Sequence, residues 1–130
     1  MDQMVELNTV GRMFLDCLMR SKAVTQPFNY WLLDSPLPLK TVDAIAALPY
    51  APPQAMQFDG RRESNNSVRV YFSKENQERH SVCRELVEAF KHPLITSAIE
   101  RTTGTDLRQG QLRVEYCQDT DGFWLEPHLD

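Results

Sequence analysis

Pro93 divides a long helical pattern in two. Before it, apolar residues recur at helical spacing after Ser81, a candidate N-cap. After it, a second apolar series ends near Gly104, a residue type that often terminates helices. Because a proline inside a helix removes a hydrogen bond and clashes with the preceding turn, His92-Pro93 ends one helix before the next begins. The two apolar faces are Val82, Cys83, Leu86, Val87 and Phe90, and Leu94, Ile95, Ala98 and Ile99.

The N-terminal third alternates between helical and extended patterns. Residues 2–20 form an amphipathic pattern that predicts a helix weakened by Gly11. The 21–27 stretch reads as a linker, and the short aromatic-rich segment 28–33 predicts a strand. A further helix is predicted over about 39–48, with Pro49 ending it. The apolar positions of these helices are Met4, Leu7, Val10, Phe14 and Leu18, and Val42, Ile45 and Leu48.

The strand patterns collect towards the C-terminus. Residues 49–66 are rich in proline, glycine and asparagine, which predicts an irregular loop, and 67–72 alternate as a strand does. The clearest strand is 111–116, where Leu112, Val114 and Tyr116 share one face. Turn residues at 119–122 precede a further predicted strand from Phe123 onward. This order predicts an α+β fold in which a sheet has only begun.

Composition excludes several classes of function. The 130 residues fit one domain, with a net charge of −4 and a pI near 5.3. Ten arginines and four lysines are spread along the chain, so we expect no nucleic-acid binding. No apolar run approaches the length of a membrane span, and no secretory signal is apparent. Three widely spaced cysteines favour a reduced, cytoplasmic setting.

The sequence ends with two potential metal ligands, His128 and Asp130. Residues two apart in a strand point to the same side, about 6.6 Å apart at a rise of about 3.3 Å per residue. An imidazole and a carboxylate could therefore converge on one ion. They would supply two of the three ligands in a 2-His-1-carboxylate triad, which holds non-haem Fe(II) with open coordination positions. A surface histidine beside an aspartate is the plainer interpretation of those residues alone.

The surroundings of the pair carry a family resemblance. The stretch Leu112-Arg113-Val114-Glu115-Tyr116, a turn containing Gly122, and then Pro127-His128-Leu129-Asp130 resembles the entry to the catalytic core of 2-oxoglutarate- and Fe(II)-dependent oxygenases of the prolyl-hydroxylase-like type. The strand, proline turn and helix that start at Pro27 also look like the usual opening of that family. The resemblance covers residues 27–130 and is specific only in the last twenty.

The resemblance implies a double-stranded β-helix (jelly roll), Fe(II) and 2-oxoglutarate as cofactors, and hydroxylation of a C–H bond with release of succinate and CO₂. It implies that His128 and Asp130 are the first two iron ligands and that Tyr116 helps to form the 2-oxoglutarate pocket. The family's second histidine and its cosubstrate-binding basic residue come several strands later. The expectation is therefore an N-terminal helix and linker over 1–26 and the N-terminal portion of an oxygenase domain over 27–130, inactive alone and with an unknown substrate.

Two alternatives stay open at this point. The chain could be a non-catalytic domain that forms homo-oligomers through an uncovered sheet. It could also form a site across a dimer, with a neighbour's His80 or His92 as the third ligand, although both read more simply as helix-end histidines.

Other residues have plainer interpretations. Asp119-Thr120-Asp121-Gly122 begins like a calcium loop but lacks its later acidic positions, so a turn is expected. Arg61-Arg62 reads as part of a solvated loop. Cys83 reads as a core residue, and Cys117 has no partner that would form a catalytic dyad.

Overall fold

A computed structural model describes residues 5–52, 60–61 and 69–129, and these residues form an α+β fold. None of the described helices is long and apolar enough to cross a membrane. Within the described residues, two antiparallel two-stranded sheets form, one pairing the first two strands and the other the last two. In chain order the elements are α1 (Thr9–Arg20), β1 (Ala23–Val24), β2 (Tyr30–Trp31), α2 (Leu39–Ala46), β3 (Val70–Tyr71), α3 (Lys74–Arg79), α4 (Ser81–Lys91), α5 (Pro93–Thr103) and β4 (Glu115–Tyr116).

The predicted break at His92-Pro93 is confirmed. Helix α4 ends at Lys91, and α5 begins at Pro93 with His92 as its N-cap. Gly104 closes α5 in the left-handed conformation, at φ 72°, which glycine adopts at little cost. The prediction of Ser81 as an N-cap is wrong, because Ser81 is the first helical residue and His80 precedes it as the cap.

Helix α3 was not predicted because its six residues are all polar and show no apolar face. Contacts within the helix and at its N-terminus stabilise it instead. The Ser73 side chain accepts a hydrogen bond from the Asn76 amide at 3.3 Å, and Arg79 pairs with Glu75 one turn earlier at 2.7 Å.

The core lies where α4 packs against α1, α2 and α5. Ile95 and Cys83 have no exposed surface, so Cys83 is a core residue as expected. Helix α1 starts at Thr9 rather than near residue 2, because Asn8 caps it by accepting from the Gly11 amide at 2.9 Å. The Asn8 amide also donates to the Glu85 carbonyl at 2.9 Å, which ties the start of α1 to α4.

Gly11 lies in α1 between the Leu7 side chain and Ala89 of α4. A Cβ atom there would lie 2.3 Å from Leu7 Cδ1 and 3.4 Å from Ala89 Cβ. Glycine costs helix stability, but here the missing side chain leaves room for Leu7. The residue that weakens the helix in sequence terms therefore serves its packing.

The strands are shorter than their sequence patterns. The predicted linker contains β1, which pairs with β2 through Ala23–Trp31 and Val24–Tyr30. Strand β4 covers only Glu115–Tyr116 and pairs with β3. The predicted strand from Phe123 is wrong for 123–129, where a single parallel bridge joins Leu125 to Gly60. No neighbouring strand within the described ranges runs alongside that segment to extend the pairing.

Candidate functional site

His128 lies on the surface in the segment that follows the turn at Gly122. Its Nδ1 is 3.0 Å from the carbonyl oxygen of Glu126. A carbonyl oxygen can only accept, so Nδ1 carries the hydrogen, and in the neutral ring Nε2 carries the lone pair. This is the usual state of a metal-binding histidine, whose second nitrogen donates to a carbonyl or carboxylate. Its predicted partner Asp130 lies outside the described residues.

Gly60 anchors the segment that leads to His128. The Glu126 amide donates to the Gly60 carbonyl at 2.9 Å, beside the Leu125–Gly60 bridge. The Trp124 ring lies directly against Gly60. A Cβ atom on residue 60 would be only 2.1 Å from Cζ3 of that ring. Gly60 also has a φ of 74°, a conformation that other residues adopt only with strain. A side chain at residue 60 is thus excluded both by the ring and by the backbone.

Gly60→Ala should displace the Trp124 ring and weaken the hydrogen bond between Glu126 and residue 60. Gly104→Ala is a matched control, because Gly104 has a φ of 72° and nothing within 4 Å of its would-be Cβ. Both variants should lose about 1–2 kcal/mol to backbone strain. Only Gly60→Ala should shift the Trp124 indole NMR signal and accelerate hydrogen exchange at the Glu126 amide. Unchanged signals there would mean that Gly60 does not position this segment.

Tyr116, the predicted contributor to the 2-oxoglutarate pocket, is half-buried on β4. Its ring lies 5.3 Å from that of Tyr50 in an edge-to-face arrangement and packs against the core cluster. Its backbone pairs with Val70 of β3. These contacts give Tyr116 a packing role, and its part in cosubstrate binding stays a prediction.

Tyr50 links the helical core to the sheet, and sequence reasoning missed it. Its hydroxyl lies 3.8 Å from Cys83 Sγ, and its ring meets His80 at 5.8 Å as well as Tyr116. Its carbonyl accepts from the Gln118 side chain at 2.9 Å, which fixes the chain just beyond β4. The only signal in the sequence is an aromatic residue between prolines in a predicted loop.

Burial raises the pKa of Tyr50 to about 12, with a smaller contribution from its hydrogen bond to Cys83. The folded state therefore favours the neutral phenol. This contribution to stability is complete below pH 10, the ordinary value, and is lost as pH rises towards 12. A tyrosinate absorbance titration should show a late phase for one of the four tyrosines. Tyr50→Phe should remove that phase, whereas Tyr71→Phe, which alters an exposed ring, should leave it intact.

A compact charge cluster covers the β3–β4 pair. Arg69 Nη1 lies 2.5 Å from Glu115 Oε2, and Arg113 Nε lies 2.6 Å from Glu115 Oε1. The hydrogen bond to Glu115 raises the pKa of Arg69. The Arg113 guanidinium also lies 5.8 Å from the centre of the Tyr71 ring. Since each carboxylate oxygen has an arginine, the cluster fastens the strand that precedes the His128 segment.

The chain was compared with known protein families, curated proteins and solved structures. No family model matches the chain, and no curated protein or solved structure is significantly similar to it.

The two other histidines and the acidic stretch at 119–122 make contacts that give them structural roles. His92 is largely buried: its Nδ1 accepts from the Leu94 amide at 3.1 Å, and its Nε2 lies 2.6 Å from the Val5 carbonyl. Both ring nitrogens thus serve the backbone, which supports a helix-end histidine rather than a ligand. His80 packs on Tyr50. The Phe123 amide donates to the Thr120 carbonyl at 3.0 Å, which makes the acidic stretch a turn.

The last candidates are the exposed Cys117 thiol, groups of metal-binding side chains, and the loop arginines. Cys117 Sγ lies 4.0 Å from the Glu115 carboxylate, which is an acidic rather than an activating neighbour for a thiol. Across 5–52, 60–61 and 69–129, no group of three or more His, Cys, Asp or Glu could together hold a metal ion. Arg61 is exposed, as a loop residue would be, and Arg62 lies outside the described residues.

Proposed function

We propose that residues 27–130 are the N-terminal part of a 2-oxoglutarate- and Fe(II)-dependent dioxygenase domain that hydroxylates its substrate. His128 and Asp130 are its first two iron ligands in this proposal. The observation that carries it is the hydrogen bond from His128 Nδ1 to the Glu126 carbonyl, in a Pro-His-x-Asp stretch. That bond selects the tautomer with its lone pair on Nε2.

An imidazole and a carboxylate are the donor types that non-haem iron uses, and they are two of the three members of the facial triad. When bound, Fe(II) would activate O₂ together with 2-oxoglutarate for hydroxylation of a C–H bond. The chain's own residues prepare the site. The Glu126 carbonyl orients the imidazole, and the Gly60–Trp124 contact fixes the segment that carries it. Tyr116, on the strand before the turn, would help to receive 2-oxoglutarate.

The arrangement of elements supports the same proposal. Val114 and Tyr116 pack against the core cluster, and α4 contributes most of the buried residues of that cluster, so the helical core supports the antiparallel β3–β4 pair. In the proposed domain this pair would extend into a double-stranded β-helix. The strands that follow would bring the second histidine and the basic residue for the far carboxylate of 2-oxoglutarate.

The proposal can be tested on this chain by mapping where a divalent ion binds. Two ligands should hold Ni²⁺ weakly, and more tightly than Fe²⁺ by the general order of affinities. Paramagnetic Ni²⁺ should broaden NMR signals around His128 first, and His128→Ala should abolish that broadening. His80→Ala should not change it. Broadening centred elsewhere would count against His128 as a ligand, as would Fe(II)-dependent succinate formation by this chain that survives His128→Ala.

A second proposal, of a different class, is a non-catalytic domain that assembles through exposed apolar surface. Leu32 and Phe28, beside β2, are 75% and 67% exposed. Apolar surface of this kind marks interaction sites when it forms a contiguous patch. Light scattering should then show a dimer or larger species that Leu32→Ser weakens, whereas Val5→Ser, at a comparably exposed residue, leaves it unchanged. A monomer at all concentrations would rule this proposal out.

A further inference from the structure

A cavity of about 640 Å³ opens between the end of α4, the middle of α5 and the segment that returns towards β4. Its volume falls within the range of sites that bind small molecules. Phe90, Ile99, Leu107 and Leu112 form its apolar walls, and Lys91 and Gln111 contribute polar groups. It involves neither His128 nor the segment around Gly60.

The walls of this cavity are held in place by contacts of their own. The Phe90 ring packs edge-to-face on Phe14 of α1, with ring centres 4.8 Å apart. The returning segment is fixed because the Leu107 amide donates to the Glu100 carboxylate at 3.0 Å. A turn then brings the Gly110 amide to the Leu107 carbonyl at 2.9 Å. The opening is thus bounded by ordered elements on both sides.

The lining combines apolar surface with one positive charge. Lys91, the last residue of α4, is exposed and makes no ion pair with any residue that the structure describes. A lysine at a helix C-terminus also complements the helix dipole. Its position beside Phe90 additionally places an ammonium group next to apolar walls. Such a combination complements a molecule with an apolar body and one anionic end.

We propose that this cavity binds a small amphipathic carboxylate, with its apolar chain along Phe90, Ile99, Leu107 and Leu112 and its carboxylate beside Lys91. The apolar walls supply affinity in proportion to the carbon surface that they cover. The ammonium group adds preference for an acid over the matching alcohol. The site is separate from the proposed iron ligands, so it stands or falls independently of the oxygenase proposal.

Decanoate and decan-1-ol are the probes that separate the two contributions. Calorimetry on the full chain should show decanoate binding more tightly than octanoate, by up to about 15-fold for two fully buried methylenes. Lys91→Gln should weaken decanoate about two- to fivefold, as expected for an exposed ion pair, and leave decan-1-ol unchanged. Leu112→Ser should weaken both probes. Lys40→Gln and Leu39→Ser, at exposed positions on α2, are the matched controls and should change neither.

Methyl NMR locates the bound chain. Decanoate should shift the signals of Ile99, Leu107 and Leu112 and leave those of Leu32 and Leu39 in place. The proposal is overturned if decanoate shows no saturable binding, or if the shifts centre on other methyl groups. It is also overturned if Lys91→Gln and Lys40→Gln have the same effect, or if dilution alone reproduces the shifts, which would indicate a second copy of the chain in the cavity.

Discussion

If residues 27–130 belong to the proposed oxygenase domain, replacing His128 with alanine should lower 2-oxoglutarate turnover by the complete domain at least about 100-fold. Mutation of a residue that merely orients a metal ligand already costs about 10–100-fold, so the loss of the ligand should exceed this. In the proposed site the imidazole would supply Nε2 to the metal, and alanine would leave that position without a donor. Succinate formation under saturating Fe(II) measures the effect.

His80→Ala is the control for this experiment, since His80 packs on the Tyr50 ring and lies outside the Pro-His-x-Asp stretch. Its turnover should stay within a few-fold of the parent protein. Equal losses in both variants would point to a general effect of removing a histidine. Full activity in His128→Ala would remove this residue from the proposed site.

Ile95→Ala should lower the free energy of unfolding by about 2–5 kcal/mol, the usual cost of truncating a fully buried aliphatic side chain. Ile95 has no exposed surface, and α5 packs there against α1 and α4. Urea denaturation should show a lower midpoint with an unchanged slope. Leu94→Ala, at a neighbouring position that is 43% exposed, is the control and should cost less than about 1 kcal/mol. A similar loss in both variants would contradict the placement of the core.

The helices could be predicted from sequence where an apolar face and a stop signal coincide. Pro93 and Gly104 fix the bounds of α5 through local chemistry, so their effect does not depend on distant residues. Helix α3 lacks an apolar face, and only its cap and ion pair reveal it. Strands depend on a neighbour for their hydrogen bonds, which explains why the pattern from Phe123 yields one bridge to Gly60.

In the candidate site, too, local features could be predicted from sequence and long-range contacts could not. His128 and Asp130 could be named as candidate ligands from sequence, because their spacing is local. The contacts that fix the chain before His128 could not be predicted, because Gly60 meets Trp124 and Tyr50 meets Gln118 across long stretches of chain. A glycine in a loop gives no sign of the ring that covers it. Such contacts exist only in the folded chain.

The most direct test of the oxygenase proposal is the affinity for Fe(II), measured without oxygen on this chain and on the chain extended by the strands that follow Asp130 in the proposed domain. The extension should tighten Fe(II) binding, because it completes the facial triad. His128→Ala should abolish that gain, and Asp130→Asn should reduce it. If the extended protein binds Fe(II) equally well without His128, the pair is a surface histidine beside an aspartate, and the proposal fails.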